Sequence, residues 1–158
     1  MAADPSTMTD PKRIRVLMQN ALDRNEEGLA RLCLRRIFEL GGDGYPDPIV
    51  RRLWQAVTAY EETRKLKIGR AQRETKVRKK IETKGPLVAL ADWATAKDVT
   101  PGFLAVIDAG MAEFTGEYIV LEFADSFDDS VVQAARTRLE SFGVALPKSW
   151  RSRLGTGH

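Results

Sequence analysis

The chain predicts a mainly α protein: an N-terminal three-helix module, a long basic connecting helix, and a small acidic α-helical module with at most a short strand. Three observations carry this. Apolar residues recur at helical spacing, Asp-Pro and Thr-Pro pairs punctuate the chain as helix starts, and the charge changes sign at Gly85-Pro86. At 158 residues, 43% hydrophobic and 30% charged, the chain has a normal globular balance and enough length for one ordinary domain or two small ones.

Residues 1–9 read as a flexible leader, and the N-terminal helical module spans 10–63. Asp10-Pro11 supplies an N-cap followed by proline at the first helical position, opening a helix through Ile14, Leu17, Met18, Ala21 and Leu22. Asn25-Glu26-Glu27 reads as the cap and acidic first turn of a second helix. Its stripe is Leu29, Leu32, Cys33, Ile37 and Leu40, and it ends at Gly41-Gly42. Asp47-Pro48 repeats the first signal for a third helix bearing Ile49, Leu53, Trp54, Val57 and Tyr60, with both aromatics assigned to the core.

Past Glu62 the apolar stripe fails and a basic connecting helix, 64–84, takes over. It carries Arg64, Lys65, Lys67, Arg70, Arg73, Lys76, Arg78, Lys79, Lys80 and Lys84 against Glu74 and Glu82, a net of +8 in a chain whose total is only +3. Run continuously from Asp47, such a helix spans 38 residues and roughly 57 Å at ~1.5 Å per residue. Gly69 marks the expected break, since glycine costs about 1 kcal/mol of helix propensity.

The acidic module, 85–147, opens at Gly85-Pro86; residues 85–142 hold ten acids against Lys97, Arg136 and Arg138. A short helix covers Leu87 to Ala94, and Thr100-Pro101 caps another through Phe103, Leu104, Val106 and Ile107. Glu117 to Phe123 is β-branched and aromatic, with Ile119, Leu121 and Phe123 alternating against Val120 and Glu122, and reads as a strand. Such a strand needs a partner for its edges, either Val144 to Leu146 or a second subunit. Ser126-Phe-Asp-Asp129 resembles a capping box for a last helix through Val132, Ala135, Leu139 and Phe142. The tail, 148–158, is basic and contains Trp150, placed to dock on the body or stack on a partner.

Composition excludes several chemistries. Cys33 is the only cysteine and His158 the only histidine, so an internal disulfide and a thiolate-rich zinc site are ruled out, and no cofactor is expected. Cys33 falls in an apolar helical pattern and reads as a buried small hydrophobe. No apolar run approaches the ~18 residues of a membrane span; with no signal-like start, a cytoplasmic protein without membrane contact is expected. Glu122, Asp125, Asp128 and Asp129 form the densest acidic cluster, but the spacing lacks the glycine and terminal glutamate of a calcium loop, and the helix dipole accounts for the last two.

Two stretches carry local likenesses to known motifs. Leu90 to Gly110 is similar to the helix-turn-helix of Cro and the phage repressors: a Leu-Ala helix, a Val-Thr-Pro turn, and a second helix with Leu104, Ile107 and Gly110. The turn is about three residues longer than that motif allows. Gly102, Phe103, Ala105, Val106 and Asp108 offer no Arg, Lys, Asn or Gln fork to a base edge, so two packed core helices are expected instead. Pro46-Asp47 with Glu82-Thr-Lys84 resembles the PD-(D/E)xK pattern, which implies a Mg²⁺-dependent nuclease. The same tripeptide form recurs at Glu74-Thr-Lys76, and neither copy sits in strand-like sequence.

The ten cations of 64–84 are therefore the candidate binding residues. A polycation attracts phosphate by counterion release without reading bases, so the expected function is non-catalytic, sequence-independent association with DNA or RNA in an accessory or regulatory protein. Arg70, Arg73 and Arg78 are expected to add bidentate phosphate contacts. The alternative is a protein–protein adaptor or homo-oligomeric scaffold, such as a homodimer, in which the basic arm of one subunit pairs with the acidic module of another.

Overall fold

The computed structural model describes residues 4–68 and 75–148. Among these the chain forms eight α-helices and no strand: α1 (Pro11–Asp23), α2 (Glu27–Leu40), α3 (Pro48–Ile68), α4 (Thr75–Lys84), α5 (Pro86–Thr95), α6 (Pro101–Asp108), α7 (Gly116–Glu122) and α8 (Asp129–Ser141). Short 3₁₀ turns fall at Pro5–Thr7, Ala112–Phe114 and Ala124–Ser126. Among the described residues no helix is long and apolar enough to cross a membrane.

The cap-then-proline signals work as their chemistry dictates. The Asp10 carboxylate accepts from the Lys12 amide at 3.0 Å, Asp47 accepts from Ile49 and Val50, and the Thr100 hydroxyl accepts from Phe103. Asn25 behaves differently from its expected role as an N-cap. It adopts φ +58°, its amide donates to Leu22 and that of Glu26 to Ala21, so it closes α1 in a Schellman turn; α2 starts at Glu27 without a side-chain cap. Asp128 flanks α8 without a side-chain cap bond and Ser126 lies in the preceding 3₁₀ turn, so the expected capping box does not form.

One buried cluster runs from Ile14 in α1 to Leu139 in α8 and includes residues from both sides of Gly85. Phe38 meets Phe114 edge-on at 5.3 Å between ring centroids, and Tyr60 meets Trp93 at 4.4 Å. Two glycines permit close approach. A Cβ on Gly102 would lie 2.6 Å from the Tyr60 ring, and one on Gly116 would lie 2.9 Å from that of Trp93. Cys33 is fully buried as expected, and burial raises its thiol pKa. Leu32, expected on the apolar stripe, is 54% exposed, while Phe38 is wholly buried in its place.

The strand expected at 117–123 is a helix. The Thr115 hydroxyl caps it by accepting from the Tyr118 amide, and Ile119, Val120 and Leu121 are all buried. Three consecutive buried residues do not fit a half-exposed strand. They do fit a short helix packed among α3, α5 and α8, where tertiary burial overrides β propensity.

The basic segment is not a continuous rod. Arg78 in α4 forms a bidentate pair with Glu61 in α3, at 2.8 and 2.7 Å. Their separation of 17 residues would place them about 26 Å apart along one helix at ~1.5 Å per residue. α4 therefore folds back onto α3, with Val77 and Ile81 packed against the core. Gly69, the expected break, lies outside the described residues.

Candidate nucleic-acid interface

α4 divides its residues among three directions. Val77 and Ile81 face inward, Arg78 turns toward α3, and positions 76, 79, 80 and 84 recur at helical spacing on one remaining face. Lys76, Lys79 and Lys84 are exposed there and form no ion pair among the described residues. Lys80 reaches Asp92 of α5 at 2.8 Å, a half-exposed pair worth little against salt and solvent.

Arg78 is spent inside the fold. Its guanidinium holds Glu61 with both arms and sits 5.2 Å from the centroid of Trp54, which in turn stacks on Tyr45 at 5.6 Å. The hydrogen bonds that it donates to Glu61 hold this guanidinium charged even more firmly than usual. The expected bidentate phosphate contact from Arg78 is thus replaced by a carboxylate contact, because the same planar fork fits both. Trp54, expected in the core, is half-buried and forms the platform beneath it. Arg64 and Lys65 end α3 half-buried, and Arg64 is engaged in a contact of its own. Arg70, Arg73 and the side chain of Lys67 lie outside the described residues, as does Trp150.

The other motifs resolve into structure. Gly102, Phe103, Ala105 and Val106, the would-be recognition surface, are buried, leaving two packed core helices. Asp47 caps α3 and Glu82 is exposed on α4, so the nuclease-like letters sit on helices rather than strands. Glu122 of the acidic cluster is drawn away to Arg52 at 2.7 Å. Among the described residues no group of three His, Cys, Asp or Glu side chains is placed to hold a metal ion.

Two charged clusters escape sequence reasoning. Arg35 and Arg52 both lie over the Phe114 ring, paired with Glu113 and Glu122 respectively, and clamp α2 and α3 to α7 and the preceding 3₁₀ turn. Glu117 is 1% exposed and accepts from Arg138 at 3.0 Å through one oxygen; its other oxygen has no hydrogen-bond partner among the described residues. Burial pushes its carboxyl pKa up against the opposing pull of Arg138. Arg138 also donates to the main-chain carbonyls of Trp93 and Ala96, so one guanidinium ties the end of α5 to α7 and α8. Only Glu117's place in an apolar run hinted at burial; nothing local points to Arg138. No family model matches the chain, nor does any curated protein or solved structure.

Proposed function

We propose that the α3–α4 arm binds nucleic acid through its phosphate backbone, without catalysis and without sequence preference. The observation that carries this reading is the lysine face of α4. Lys76, Lys79 and Lys84 stand exposed with no described carboxylate to neutralise them, although Arg78 and Lys80 on the same helix are paired. A solvated polycation of this kind gains affinity for phosphate by releasing condensed counterions. Lys65 near the end of α3 and the sequence positions Lys67, Arg70 and Arg73 add to the positive charge of this segment.

The test is charge reversal at Lys76, Lys79 and Lys84. Arg78 is spared because its side chain joins α4 to Glu61 and Trp54 of α3. The triple variant should be retained more weakly on duplex DNA and on heparin, eluting at lower salt, while keeping its circular dichroism spectrum and its size-exclusion mass. Undiminished retention would remove the proposal. The homo-oligomer reading draws on exposed Asp128 and Asp129, which have no described cation partner; a fall in size-exclusion mass in the variant, with no DNA binding to lose, would favour it instead.

A further inference from the structure

α4 and α5 diverge from the single residue Gly85, and an open groove of about 230 Å³ lies between them. Val77, Trp93 and Ala96 give it an apolar floor, with Ala89 beside them. Lys76, Lys80 and Asp92 supply the rim. We propose that this groove takes one unpaired base of a single-stranded nucleic acid whose flanking phosphates lie on Lys76, Lys79 and Lys80. The inference rests on the phosphate-binding reading of the same helix face and narrows its ligand from nucleic acid in general to single strands.

Size and chemistry select the occupant. The groove is smaller than the ~300–1,000 Å³ typical of sites for drug-sized ligands, which suits one flat ring system. A base offers apolar faces to Val77 and Ala96 and a polar edge bearing both donors and acceptors, which Asp92 and the lysines complement. Asp92 decides against an acidic peptide, because a carboxylate entering the groove would face a carboxylate already there. A duplex keeps its bases stacked and presents only phosphates to this surface. Trp93 is 7% exposed, its ring packed on Tyr60 and against Gly116, so it contributes an edge rather than a stacking platform.

Fluorescence anisotropy of the full chain, with labelled single strands and duplexes of about 12 nucleotides, tests this. The wild type should prefer the single strand by about fivefold, equivalent to about 1 kcal/mol, the free energy of removing about 40 Å² of apolar surface from water. Ala96→Trp fills the groove from a half-buried position whose carbonyl remains held by Arg138. It should abolish that preference while leaving duplex affinity unchanged; Ala96→Leu carries the test if the larger side chain disturbs the circular dichroism spectrum. Equal affinity for both forms in the wild type, or a preference that survives both variants, overturns the groove and leaves the phosphate reading standing. Failure to bind either form ends both. Displacement of the single strand by a polyglutamate peptide from the wild type but not from Ala96→Trp would make the groove a peptide site and overturn the inference.

Discussion

Removing Arg78 should loosen the arm from the body. Its guanidinium makes two hydrogen bonds to Glu61 and covers Trp54, and the two charged side chains are only 27% and 17% exposed. A charge-assisted hydrogen bond at a sheltered site contributes about 1.5–3 kcal/mol, and the cation–π contact adds about 0.5–1 kcal/mol. The two bonds share one carboxylate and do not add fully, so Arg78→Ala is expected to cost about 2–3 kcal/mol, or roughly 5–10 °C in Tm for a chain of this size. Urea denaturation of Arg78→Ala, Glu61→Ala and the double variant isolates the pair itself, with an expected coupling energy of about 1.5 kcal/mol. Arg78→Lys keeps the charge and loses the fork, and should recover about half of the stability. A coupling energy near zero, with Arg78→Ala within about 0.5 kcal/mol of wild type, would refute the folding of α4 back onto α3.

Glu117 gives a pH prediction with a definite sign. Burial raises its carboxyl above the ordinary value of 4.5, so the stability associated with its neutral form is fully present below pH 4.5 and is lost as pH rises through the folded-state value. Urea midpoints measured from pH 4 upward should therefore fall for the wild type relative to Glu117→Gln; a wild type that gains on the variant with rising pH would show the Arg138 pairing to dominate. Gly102→Ala should destabilise by about 1–3 kcal/mol through overpacking against Tyr60. Gly28→Ala, in α2 with open space around it, should stabilise by about 0.5–1 kcal/mol. Thermal melts of the two glycine variants should move in opposite directions, and shifts in the same direction would contradict the packing described.

Helix starts were legible because their cause is local: Asp10, Asp47 and Thr100 each cap an amide two or three residues ahead, beside a proline that fixes φ. Asn25 and Ser126 misled for a related reason. Polar residues suit helix ends and turns alike, and only the path of the chain selects between them. The helix at α7 was hidden because Ile119, Val120 and Leu121 favour a strand locally and are helical only through burial among helices distant in sequence. The basic segment was legible as composition and not as geometry. Its charge is written in consecutive residues, whereas the division between paired Arg78 and exposed Lys76, Lys79 and Lys84 depends on where α4 crosses α3.

The exposed lysine face is tested most directly by the salt dependence of binding to a nonspecific duplex, compared between wild type and the Lys76→Glu, Lys79→Glu, Lys84→Glu variant. At about −0.9 per neutralised phosphate, three lost contacts should flatten the log–log slope by about 2.7. If three of Lys65, Lys67, Arg70 and Arg73 raise the wild type to six contacts, its own slope stands near −5. Identical slopes for the two proteins, or no measurable binding by the wild type in dilute buffer, would contradict the account.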